Sequence, residues 1–177
     1  MNWSADTDDR PLETECANST ETCTCQLDDN LKWLRLTHEF SSIPLERLRV
    51  YALMCGRRYF RRGEFVFQQG QPDDKGYILV SGKVQMVRQY ENHSVIVHDL
   101  EPGAFFGGLA LFAKIRRLFG ARAATDVEVL YIERETFRKI FHQFPEVSEK
   151  ILEVMIRRIV LMEEKILNRH MEECVLV

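Results

Sequence analysis

Apolar and polar positions change their period twice along this chain. Residues 1–26 are polar, rich in Asp, Glu, Ser, Thr and Cys, and show no repeat, which predicts a solvated, disordered arm. From 27 to 56 the spacing becomes helical. Leu31, Leu34 and Leu36 lead to Phe40, and Leu45, Leu48, Tyr51, Ala52 and Cys55 form a second set. Ser42, Pro44 and Glu46 supply a start signal for that second helix, and Gly56 a stop. From 57 to 134 short runs of β-branched and aromatic residues take over: RRYF, EFVFQ, GYILV, GKVQMVRQY, HSVIVHDL and ATDVEVLYIE. Gly63, Gly70, Gly76, Gly82, Asn92, Pro102-Gly103 and Gly107-Gly108 punctuate them. Short strands with turn residues this close together predict an antiparallel barrel or roll. The helical period returns at 136, first in FRKIFHQF and then, opened by Pro145-Glu146, over about 146–170. There Leu152, Met155, Ile159, Met162 and Ile166 alternate spacings of three and four, the pattern of a helix–helix seam.

The pattern divides the chain into an acidic Cys-containing arm (1–26), a helix-plus-roll domain (27–145), a dimerisation or docking helix (146–170) and a tail (171–177). The fold class expected is α+β: an antiparallel, jelly-roll-like β-roll flanked by N-terminal helices and a long C-terminal helix. The apolar surface of that last helix is wider than one seam, because Val154, Ile156, Val160, Leu161 and Leu167 extend it. One face is therefore expected on the roll and another on a dimer mate or partner protein.

Charge changes the picture in one place. The net charge is −3, but residues 1–30 carry eight acids and one base, leaving 23 bases and 19 acids for the remainder. That excess is too small for a nucleic-acid binder. The run RRYFRR (57–62) sets two aromatics between arginine pairs, a pattern able to touch nucleic acid. The expectation here is a first strand whose arginines face solvent or the acidic arm. No apolar run approaches the roughly 20 residues that span a bilayer, and the N-terminus has no signal-peptide core, so a cytoplasmic protein is expected.

Five cysteines are an odd set. Cys16, Cys23 and Cys25 form C-x6-C-x-C, and with Cys55 would make four thiolates for an iron–sulfur cluster. The spacing is no standard zinc pattern, and unpaired thiols with no metal are expected. Cys174 begins CVLV, which fits a prenylation box only in outline because valine is atypical at its end. His38, His93, His98, His142 and His170 are scattered, and no catalytic constellation appears, so no enzyme is expected.

The candidate chemistry lies in FFGGLALF (105–112), where adjacent glycines open one short helical turn. Backbone N–H groups can approach a ligand closely there, and such a turn suits an anion. The surrounding residues carry a resemblance. Gly63-Glu64, Phe67 and Gly70, then Asp74, Tyr77-Ile78, Ser81-Gly82 and Val84, then Pro102-Gly103, Phe106-Gly107 and Leu109-Ala110-Leu111, resemble successive motifs of the cyclic-nucleotide-binding domain. Arg122-Ala123, Thr125-Asp126 and Val127–Ile132 resemble the exit from its phosphate-binding cassette. The likeness covers about residues 30–168 and implies the roll and helices already expected.

The resemblance also implies a site for cyclic AMP, cyclic GMP or another phosphate ligand at Phe106, Gly107, Gly108, Leu109, Ala110, Arg117 and Leu118. Arg117 takes the place of the phosphate arginine, nine residues after Gly108 and five before Arg122. Its planar fork suits phosphate oxygens. Gly108 stands where the family has the glutamate that accepts from the ribose 2′-hydroxyl. Losing a charge-assisted acceptor costs about 1.5–3 kcal/mol, roughly ten- to a hundredfold in affinity. Leu118 stands where the family commonly has Ala, Ser or Thr, Phe119 follows it, and the two are expected to fill or reshape the pocket. In the activator branch of the family a DNA-reading helix-turn-helix follows the long helix; only HMEECVLV follows residue 169 here, so no DNA reader is expected. A degenerate sensor signalling through its last helix is the expectation; a structural adaptor with an empty pocket, or a redox sensor using the arm cysteines, are the alternatives.

Overall fold

A computed structural model describes residues 20–41, 43–91 and 93–175, with side chains for 26–41, 43–91, 93–157, 159–161 and 164. Two helices lead: α1 (Thr20–Leu36) and α2 (Leu45–Met54). Strands β1 (Gly56–Phe60), β2 (Phe65–Phe67), β3 (Lys75–Ser81), β4 (Val84–Gln89), β5 (Ser94–Leu100) and β6 (Phe105–Phe106) follow. One helical turn, α3 (Leu109–Phe112), precedes β7 (Gly120–Ala123) and β8 (Val127–Glu133). Helices α4 (Arg134–Gln143) and α5 (Pro145–Val175) complete the described chain.

The strands form two four-stranded antiparallel sheets, ordered β1-β8-β3-β6 and β2-β7-β4-β5. Strand β3 shows why its sequence is a continuous apolar run. Tyr77 and Leu79 point between the sheets, while Ile78 and Val80 point toward the helices, so both faces are buried. Strand β8 repeats this, with Val127 and Val129 on one side and Leu130 and Ile132 on the other. The helix-side core gathers Leu34, Phe40, Leu48, Tyr51, Phe137 and Ile151. The inter-sheet core centres on Phe67, Phe106, Val84 and Ala121.

Several expectations need correction. Helix α1 begins at Thr20, so residues 20–26 are helical and the arm read over 1–26 is shorter; residues 1–19 lie outside the described set. Helix α5 runs to Val175, past the expected end at 170 and through most of the tail. Strands β6 and β7 went unread. The first is two residues long, and the second, GARA, uses Ala121 and Ala123 where only small side chains fit (0% and 1% exposed). Gly56 is no left-handed helix stop: the chain turns extended at Cys55. Its glycine is needed because a Cβ there would lie 2.5 Å from the Tyr131 ring.

Arg57 is not turned to solvent. It donates to Asn30 Oδ1 (2.8 Å), to Glu128 (2.5 Å) and to Asp29, clasping α1 against β1 and β8. Asn30 in turn donates to the Ala52 carbonyl on α2.

Phe137, 1% exposed, packs against Tyr51, Phe112 and Phe141 and so joins α2, α3 and α4. Phe137→Ala should lower stability by about 3–5 kcal/mol in urea unfolding, and Phe141→Ala, at a half-buried site, by less.

Candidate functional site

The cassette turn is built from backbone outward. Gly107 has φ +71°, a left-handed conformation, and a Cβ there would lie 2.7 Å from Arg117 Nη1. Glycine is thus required both for the turn and for the arginine's approach. Arg117 is fixed through its main chain first: its N–H donates to Gln71 O (3.0 Å) and its carbonyl accepts from Gly70 N (2.8 Å).

The side chain then turns inward. Nε and Nη2 donate to Asp73 Oδ2 (3.2 and 2.6 Å), Nη2 also to the Lys75 carbonyl (2.5 Å), and Nη1 to the Gly107 carbonyl (2.7 Å). The guanidinium lies 4.1 Å over the Phe67 ring and 5.9 Å from the Tyr77 ring. Arg117 is only 4% exposed, and the Asp73 side chain 13%. Asp73 is further held by the Tyr77 hydroxyl (3.1 Å) and the Lys75 N–H (3.1 Å). A buried charge is tolerable only when paired and hydrogen-bonded, and this one is both.

Asp73 is the site residue that the sequence did not reveal. The motif singled out Asp74, whose carboxylate meets Lys75 at 3.6 Å and, among the described residues, not Arg117. Two adjacent acids precede the β3 strand, and spacing alone does not choose between them.

The other cassette residues divide by burial. Phe106 (3% exposed) is a core residue stacked on Tyr77 at 5.4 Å, and Ala110 is fully buried. Leu109 is 49% exposed. Leu118 is 61% exposed, while Phe119 lies beneath the Arg88 guanidinium at 5.6 Å. Gly108 has ordinary helical angles (φ −61°, ψ −25°), so its backbone would accept any residue. Space is what it lacks: a Cβ would lie 2.3 Å from the Phe105 ring, itself buried and edge-on to Phe40 at 5.4 Å. An aromatic ring has taken the room beside the family's glutamate position.

Along α5, Met155 is 8% exposed and packs with Val147 and Ile151 on the molecule's own helix-side core. The expected seam is therefore split. Leu152 and Ile159 are half exposed and share their face with Ile156 and Val160. The side chains of Met162 and Ile166 lie outside the described set.

The arm cysteines cannot be placed together: Cys16 and the side chains of Cys23 and Cys25 lie outside the described residues. Cys55 is described, and burial pushes its thiol up to about 12, with Arg57 opposing weakly. Among the described residues no group of three or more His, Cys, Asp or Glu is arranged for a metal. An open surface cleft of about 450 Å³ lies beside α4, lined by Asp74, Arg134, Glu135, Arg138, Lys139 and His142, and does not reach Arg117.

The β-roll holds a left-handed glycine turn with an arginine folded against it, at the positions that the sequence resemblance assigned to a phosphate-binding cassette. Residues 57–144 match the cyclic nucleotide-binding domain family. A cyclic nucleotide-binding-like protein from Brucella abortus, solved as a structure, is 35% identical, with 65% of this chain and 99% of that one aligned at a TM-score of 0.59. This chain belongs to the cyclic nucleotide-binding domain family. The CRP-like cAMP-activated global transcriptional regulator of Mycobacterium tuberculosis is 34% identical over 101 residues, 56% of this chain but 45% of the regulator. Human cGMP-dependent protein kinase 2 is 26% identical over 136 residues, 75% of this chain and 18% of the kinase. This chain thus spans less than half of either relative. The regulatory domain of Toxoplasma gondii PKA, solved with cAMP, shares the fold at a TM-score of 0.69 and 18% identity, covering 79% of this chain and 52% of that one. Domains of this family are usually regulatory rather than catalytic. No helix among the described residues is long and apolar enough to cross a membrane.

Arg117→Met should cost about 3–5 kcal/mol of stability, because it strands the Asp73 carboxylate in a buried site. Asp73→Asn in the same chain should recover part of that loss, and a double-mutant cycle by urea unfolding reads the coupling. Burial also raises the titration of Tyr51 and, together with Asp73, of Tyr77. Cys55, Tyr51 and Tyr77 are all favoured neutral by the fold, so their stabilisation holds at neutral pH and is lost as pH rises. The loss should begin near pH 9, the ordinary thiol value, and continue toward 12 for Cys55. Each group would contribute a slope of about 1.4 kcal/mol per pH unit. Cys55→Ala should remove the earliest part of that decline.

Proposed function

We propose that this chain is a non-enzymatic regulatory module with a degenerate cyclic-nucleotide pocket, signalling through α5 to a dimer mate or partner protein. The observation that carries the reading is the state of Arg117. Four hydrogen bonds to Asp73, Lys75 and Gly107 occupy a guanidinium with five N–H donors, leaving one on Nη1. A phosphate would have to displace a carboxylate already in place, rather than enter a free cationic site. The ribose half of the site is weakened separately, because Phe105 fills the room beside Gly108.

The names of the relatives point to cyclic AMP and cyclic GMP as the first ligands to try, with cyclic dinucleotides as other phosphate ligands. The exposed stripe Leu152, Ile156, Ile159 and Val160 supports α5 as the output surface. The same stripe supports a second reading, in which the roll is a scaffold and α5 docks it into a larger assembly. A redox role for Cys16, Cys23, Cys25 and Cys55 fits poorly with a Cys55 thiol that burial holds protonated.

Thermal unfolding with cyclic AMP, cyclic GMP and cyclic dinucleotides separates these readings. Little stabilisation is expected in the native protein, and a response to at least one ligand is expected in Asp73→Asn, where Arg117 is released. Saturation at 100 Kd would stabilise by about 2.7 kcal/mol, well within reach of the method. A strong native response lost in Arg117→Met would replace the degenerate pocket with a working one. Silence in both proteins would favour the scaffold.

A further inference from the structure

Three exposed arginines lie within five residues on one border of the molecule, Arg58 with its guanidinium 5.2 Å over the Phe60 ring. Arg58, Arg61 and Arg62 are exposed, and among the described residues none of the three guanidinium groups has a carboxylate partner. Tyr59, between them, is 71% exposed. The nearby acids are engaged elsewhere: Glu64 accepts from the Arg61 N–H (2.7 Å), Asp126 from the Arg62 N–H (2.9 Å), and Glu128 from Arg57 and Tyr59. Strand β1 is also an edge strand, paired on one side only, with β8. The chain's own acidic segment enters the molecule close by. Asp29 on α1 is clasped to Arg57, the residue next to Arg58.

We infer that residues 6–19 of this chain dock across Arg58, Arg61 and Arg62. That segment carries Asp6, Asp8, Asp9, Glu13 and Glu15 against one base, Arg10. Its length fits. Thr20 lies nine residues before Asp29, about 14 Å along a helix, and fourteen extended residues reach about 46 Å. The segment can return past Arg57 and still span the distance from Arg58 on β1 to Arg62 in the turn after it, at most about 13 Å. Each exposed ion pair is weak alone. Tethering changes the balance, because a short linker presents the acids at millimolar effective concentration. Arginine rather than lysine strengthens the match, since each fork can hold a carboxylate with two hydrogen bonds.

Arginine footprinting with phenylglyoxal, read by mass spectrometry on the full chain, tests this. The comparison protein carries Asp6→Asn, Asp8→Asn, Asp9→Asn, Glu13→Gln and Glu15→Gln, all outside the described residues. At low salt Arg58, Arg61 and Arg62 should label several-fold more slowly in the native chain than in this variant. The difference should vanish in 0.5 M salt, where the Debye length falls to about 4 Å. Arg138, exposed on α4, should label alike in both. Equal labelling of the three arginines in the two proteins at low salt would overturn the inference. So would protection that grows with protein concentration, which would place a second copy on the strip. Adding single-stranded DNA to the native chain should leave the three arginines unchanged at low concentration. Tight protection by it would instead assign the strip to nucleic acid.

Discussion

The buried pair of Arg117 and Asp73 is the constraint around which the cassette is arranged. A guanidinium at 4% exposure cannot stand alone, and every neighbour is placed to meet it. Asp73 supplies the counter-charge, the Lys75 and Gly107 carbonyls supply acceptors, and Phe67 lends its ring face. Gly107 is left-handed and without a side chain because Arg117 lies against it. The pair also reaches the helices. Arg134, the first residue of α4, donates to the Asp73 carbonyl (3.0 Å) and to the Ala110 carbonyl of α3. The loop that neutralises Arg117 is thereby the loop on which α4 begins.

This arrangement alters what ligand binding would mean. In an open cationic site a phosphate adds a favourable interaction. Here it would exchange one anion for another, and Asp73 would have to find new partners or be protonated. Tyr77 and the Lys75 N–H already hold that carboxylate, so its departure would break contacts on both sides. Net affinity in the proposed reading is a difference between two well-satisfied states.

The roll was legible in the sequence because its strands are bounded by turn residues and carry β-branched runs. The two unread strands lacked a β-branched run: β6 is two residues long, and β7 is built from glycine, alanine and arginine. The glycine turn and Arg117 were legible from their spacing, and the structure brings the two together. The partner of Arg117 was not. Which of Asp73 and Asp74 faces the arginine depends on how the loop enters β3, and a linear pattern carries no such information. Gly108 read as a simple loss of glutamate, whereas the structure shows a ring in the vacated room. The seam on α5 was half legible, since periodicity finds an apolar stripe but cannot say which body covers it.

Helix α5 carries two apolar faces for a reason that follows from its length. At 31 residues it extends about 46 Å, and its first eleven residues suffice to bury Val147, Ile151 and Met155 on the core. These positions recur every four residues, so the stripe drifts around the axis and leaves the roll beyond Met155. Leu152, Ile156, Ile159, Val160 and Leu161 lie on the faces that remain, each between 43% and 59% exposed. A helix needing only the roll would turn polar after Met155. This one carries Ile156, then Ile159, Val160 and Leu161 after Arg157 and Arg158, all four exposed, and in the proposed reading that surplus is the surface offered to another chain.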